Sequence, residues 1–166
     1  MTDAEKQRYF FDHLPHRVNL LIAFRERYSG QNLSRALNPE QFRDLFRCAK
    51  DIAMIMARFF CWEIGIGVPL GKNTIESCKL RGADYGARRV DLASLRSDSR
   101  ADSLRLVLIA ASRAVAHIKP GAVDHGVTDP VLISAIDLVE ELIRSHIYQP
   151  NNTSLDAAMQ RPNNQM

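Results

Sequence analysis

The stretch "ASRAVAHIKPG", residues 111–121, sets Arg113 and His117 four positions apart, just ahead of a Lys-Pro-Gly stop. Side chains at i and i+4 of a helix share a face, so these two can meet. Histidine changes charge near neutral pH and can both take and give a proton. Arginine carries a permanent, forked charge that matches phosphate. Together they form the smallest set able to cleave RNA without a metal: His117 would move the proton of an attacking 2′-hydroxyl while Arg113 holds the phosphate. The competing reading is electrostatic, since a cation and a histidine in a last helical turn complement the helix dipole.

A second feature is where the charge lies. The chain of 166 residues carries a formal net charge of +3. Residues 79–100 alone hold Lys79, Arg81, Arg88, Arg89, Arg96 and Arg100 against Asp84, Asp91 and Asp98, which matches the excess of the whole chain. A concentrated basic segment can attract phosphates and is a candidate nucleic-acid contact. The plainer alternative is a solvated surface loop. Trp62 and Tyr85 could stack on bases beside these arginines, although Trp62, at the end of a long helix, fits packing better.

The elements that must position these residues read as helices. Thr2 and Glu5 make a capping-box pattern for a first helix, expected to stop at Leu14 before Pro15. A second helix is predicted from Pro15 to about Tyr28. Asn38 and Pro39 open the longest one, expected to reach about Ile64 with Phe42, Leu45, Phe46, Ala49, Ile52, Ala53, Met56, Phe59 and Phe60 on its buried face. Residues 65–98, rich in glycine, form an irregular segment in which "NTIESCKL" and "VDLASLR" read as short helical pieces. Ser99 and Asp102 give a capping-box pattern for a helix through His117 or Ile118. Thr128, Asp129 and Pro130 start a final helix to about Tyr148. The fold class is therefore all-α: a single-domain helical bundle of about five helices over 1–148, with 149–166 expected to be a disordered polar tail.

The helix over 99–118 carries two apolar stripes. Leu104, Val107, Leu108, Ala111, Val115 and Ile118 form a core face, and Leu106, Ile109, Ala110, Arg113 and His117 form a second column on roughly the opposite side. That column can pack on another helix of the same chain or on the same column of a second subunit, so Leu106, Ile109 and Ala110 are candidate interface residues.

"SRAVAHI", followed after a polar turn by an amphipathic terminal helix, resembles the corresponding segment of HEPN-type domains, a likeness that covers about residues 99–148. The resemblance implies a small helical fold, one that dimerises in many members, and, in the ribonucleases of the family, an Arg/His pair completed by the same pair of a second subunit. It gives Arg113 the phosphate-contacting role and His117 the catalytic one. Three residues separate them here, one short of the usual spacing, and Ser112 stands where related segments carry Asn. Many HEPN-like domains are catalytically silent, so a non-enzymatic helical interaction or dimerisation module with a protein partner is the alternative.

Other chemistry is weak. His117, Asp124, His125 and His146 lack a helical ligand spacing, so no metal and no cofactor is expected. His13 and His16 flank Pro15 and read as a helix junction. "GIGVPLGK" has Ile66 where a phosphate loop needs its first glycine and Asn73 where it needs a hydroxyl. Cys48, Cys61 and Cys78 are odd in number and widely spaced, which predicts reduced thiols in a cytoplasmic protein. "MTDAEKQRYF" does not read as a signal peptide, and "DIAMIMARFFCWEIGIGV" is broken by Arg58 and Glu63, so no membrane span is expected.

Overall fold

A computed structural model of the chain describes residues 1–28, 38–116 and 126–160. Its first element runs without a break from Asp3 to Tyr28: α1 (Asp3–Arg8), a π turn (Tyr9–His13), α2 (Leu14–Ala23) and a second π turn (Phe24–Tyr28). Thr2 caps it as its sequence predicts, with the Glu5 amide donating to Thr2 Oγ1 and the Thr2 amide to Glu5 Oε2. The expected stop at Pro15 does not occur. Proline lacks an N–H and its ring presses on the preceding turn. The wider π turn just before it, in which the Leu14 amide donates to the Tyr9 carbonyl, accommodates that ring without ending the helix.

α3 (Pro39–Glu63) is the longest helix, capped by a reciprocal pair in which Asn38 Oδ1 accepts from the Glu40 and Gln41 amides. Of its predicted face, Ala53 and Phe60 are in the core and Phe46, Ala49, Met56 and Phe59 pack against it. Ala53, Ala57, Phe60, Cys61 and Ile64 are fully buried, whereas Leu45 and Ile52 are 44% and 39% exposed. β1 (Ile66–Gly67) and β2 (Glu76–Ser77) then pair antiparallel, so part of "NTIESCKL" is extended rather than helical. A 3-10 turn (Arg81–Tyr85) follows, and then α4 (Leu92–Ser97), whose Asp91 cap accepts from the Ala93 and Ser94 amides. α5 (Ala101–Ala116) starts after Asp98, whose carboxylate takes the Arg100 amide at 2.8 Å; the predicted start at Ser99 is displaced by this contact.

α6 (Asp129–Ile143) continues through a π turn (Arg144–Tyr148) and a 3-10 turn (Gln149–Asn151). Residues 149–160, expected to be disordered, are folded: α7 (Leu155–Met159) buries Leu155 and Ala158 against the first helix and is capped by Ser154. The polar letters of this stretch hid a short amphipathic turn.

The four long elements form a bundle in which successive helices alternate in direction, so that α3 and α6 run the same way. Lys50 pairs with Asp129 at 3.2 Å, which places the middle of α3 beside the start of α6. Arg100 pairs with Glu141, and the Arg88 amide donates to the His146 carbonyl, which places the start of α5 and the basic segment beside the end of α6. Leu14, Val18, Leu21, Leu104, Val107, Leu132, Ile136 and Val139 meet in a core with no exposure to water. At about 1.5–3 kcal/mol for each large side chain, burial is what holds the helices together. No helix among the described residues is long and apolar enough to cross a membrane.

Candidate functional site

Arg113 is exposed near the C-terminal end of α5. His117, with Asp124 and His125, lies outside the described residues. Ser112 is tied back to its own helix, its hydroxyl donating to the Leu108 carbonyl at 2.8 Å. The second column is not a free face along its length. Ala110 is only 2% exposed, covered by the chain's own core, while Leu106 and Ile109 are half-buried. Helical rotation explains this: α5 lies against both α3 and α6, so an alanine between the two contact lines is covered as well.

The six cations of residues 79–100 divide by what they touch. Arg89 Nη1 reaches the Gly65 carbonyl at 3.1 Å, Ser77 Oγ at 2.7 Å and the Cys78 carbonyl at 2.6 Å, which ties the end of α3 to β2. Arg96 donates to the Ile75 carbonyl, and Arg100 is held by Asp98 and Glu141. These three are used by the fold. Lys79, Arg81 and Arg88 are exposed and make no ion pair among the described residues. They sit at the end of the bundle where α3 and α6 finish. Arg113 is twelve residues into α5 from Ala101, about 18 Å along its axis, at the other end. Arg113 and the basic segment are therefore not one site within a single chain.

At the basic end lies an arrangement that sequence reasoning missed. Trp62 carries two arginines over its ring, Arg58 at 4.0 Å and Arg81 at 4.3 Å from the centroid. In the sequence Arg58 stands out only as a charge that interrupts an apolar stretch. Its spacing of four from Trp62 was the available signal, because i and i+4 side chains touch. Beside it, Arg17 stacks on Phe59 at 4.5 Å and donates to the Tyr9 hydroxyl at 3.3 Å. Tyr85, which sequence reading offered for base stacking, is buried and unavailable: its hydroxyl donates to Glu63 Oε2 at 2.5 Å. Burial and that carboxylate push the Tyr85 hydroxyl far above its ordinary titration, so it stays protonated and donates. Gly82 is required here, since a Cβ would meet the Glu63 carbonyl at 2.8 Å and the Tyr85 hydroxyl at 2.7 Å.

Arg58 is held below the usual arginine range by partial burial and by the neighbouring charge of Arg81. Burial raises the Cys61 thiol well above its ordinary value, so Cys61 is an inert core residue, and Cys78 is raised for the same reason. Among the described residues no three His, Cys, Asp or Glu side chains gather as a metal site. No protein-family model, curated protein or solved structure matches the chain.

Proposed function

We propose that this is a HEPN-like, cytoplasmic RNA-binding protein that cleaves RNA without metal, using Arg113 and His117 brought against the same pair of a second copy. The observation that carries the RNA part is the cationic end of the bundle, where Lys79, Arg81 and Arg88 are exposed without carboxylate partners. Unneutralised surface cations are the footprint of a polyanion, and their release of counterions makes binding steeply salt-dependent. The cleavage part rests on residue chemistry: a histidine for the proton and an arginine for the phosphate, with Arg113 open to solvent. Because the two regions lie at opposite ends of α5, an RNA held at the basic end of one chain would be cut at the paired ends of Arg113-bearing helices only if it extends between them.

Incubation with labelled single-stranded RNA in the presence of a chelator tests this. Wild type should cut, and His117→Ala should not, with helix content unchanged because alanine is a good helix former. Binding without cutting by wild type removes the nuclease assignment. A second reading is a non-enzymatic interaction module. It is supported by a stripe on α3 in which Leu45, Ile52 and Ile55 are 44%, 39% and 38% exposed at helical spacing. Sedimentation that shows self-association or partner binding through this stripe, with no RNA affinity at low salt, would favour it.

A further inference from the structure

We infer that Arg58, Trp62 and Arg81 form a phosphate clamp, which grips the backbone of RNA without reading its bases. The inference rests on the RNA-binding reading above and gives it an address. Two guanidiniums lie 4.0 and 4.3 Å from one indole centroid. One face of an indole is too small for two mutually repelling planar ions at those distances, so the ring is sandwiched. Each arginine is attracted to the ring, but that does nothing for the repulsion between the two charges.

The usual remedy, a carboxylate, is missing. Glu63, next to Trp62, is engaged by the Tyr85 hydroxyl inside the core. Asp84, three residues from Arg81, makes no ion pair with either arginine. Neither arginine has an ion-pair partner among the described residues, unlike Arg25, Arg100, Arg105 and Arg144, each of which has one. The arrangement is also held in place. The Trp62 edge fits against Gly67, where an added Cβ would lie 3.0 Å from Nε1. Arg89 fixes the adjoining loop through three oxygens.

Two stacked guanidiniums present N–H edges at the rim of the ring. Such edges match the several oxygens of one phosphate, which would neutralise both charges. The same stacking determines what the site does not do. With both indole faces covered by arginine, no base can stack on Trp62, although an exposed tryptophan beside cations is the usual base platform. Binding at this point should follow the phosphate backbone and be blind to base identity. A free phosphate offers the same chemistry as a phosphodiester, so the two sources need separate arms in the test.

Trp62 is the only tryptophan in the chain, so its fluorescence reports on this site alone. The full-length protein would be titrated at low salt with oligouridylate, with oligoadenylate and with inorganic phosphate, and RNA binding would be followed in parallel by electrophoretic mobility. Arg58→Gln and Arg81→Gln keep a planar group but remove the charge. Arg81 is exposed, so its variant should fold even if the Arg58 variant does not. Expected is a saturable fluorescence change with both oligonucleotides at similar affinity, weakened on the order of tenfold in each variant, with the salt slope reduced by about one.

RNA binding that leaves Trp62 silent and the variants unaffected would overturn the clamp while the RNA-binding reading stands. A strong preference for one oligonucleotide that the variants abolish would overturn the claim of base-blind recognition. If no RNA binds but inorganic phosphate changes the fluorescence of wild type and not of the variants, the RNA-binding reading fails and the clamp stands as a site for small phosphate anions. No response to either ligand overturns both.

Discussion

Glu63 and Tyr85 show how a residue's role follows from its surroundings. Glu63 is a carboxylate only 8% exposed, placed in the core by the pitch of α3. A buried charge costs several kcal/mol unless it is paired or hydrogen-bonded, and Tyr85 supplies the bond at 2.5 Å. Tyr85→Phe leaves the carboxylate without its donor and should destabilise the fold by about 1–3 kcal/mol, read as a lower denaturation midpoint. An unchanged midpoint would mean that another group or water already satisfies Glu63. The sequence shows a Glu at 63 and a Tyr at 85 but not that they meet, because 21 residues of turn and strand lie between them. Arg113 could be marked as a candidate because its partner lay four letters away; the Trp62 stack could be seen only in part, because Arg58 is local to it and Arg81 is not.

At the scale of elements, caps and long amphipathic helices were legible and interruptions were not. The Asn38–Pro39 start and the α5 core positions Leu104, Val107, Leu108 and Ala111 are where capping chemistry and periodicity put them. These signals are local: a cap is a bond across three residues, and a stripe repeats every turn. Pro15 misled because local chemistry says that proline ends helices, whereas the packed bundle keeps the helix going through a π turn. Leu45 and Ile52, on the predicted face of α3, are exposed because its apolar arc is wider than the surface that its neighbours cover. The C-terminal segment belongs here too. Leu155 is 2% exposed beneath the first helix, and Arg144 bridges Glu140 to Asp156, joining α6 to α7. Leu155→Ala should therefore cost about 2–5 kcal/mol by chemical denaturation. A change below a few tenths would show that the segment is not docked.

For the whole molecule, stability should depend on pH in two separate windows. Burial, and then the charge of Arg88, hold His146 below its ordinary value of 6.5. The unfolded chain then binds the proton more readily than the folded one, so stability falls as pH drops below 6.5. Asp98, bonded by Arg100, and Asp91, bonded by Ser94, titrate below their ordinary 3.8, so the stability that they add is lost only in stronger acid. His146→Gln should flatten the first window and leave the second, measured as denaturation midpoint against pH. A slope just below pH 6.5 that survives the substitution would assign it to another histidine. On this scale the sequence by itself determined the all-α class, the core positions Leu104, Val107, Leu108 and Ala111 of α5, and the position of the excess positive charge, since each depends on composition or on neighbours within a few residues. The tertiary structure alone decided which cations are spent on holding loops, that the basic end and Arg113 stand at opposite ends of the bundle, and that a second arginine, Arg81, lies over Trp62. Those facts depend on contacts between residues far apart in the chain, whose meeting is set by packing of the whole core rather than by any local pattern.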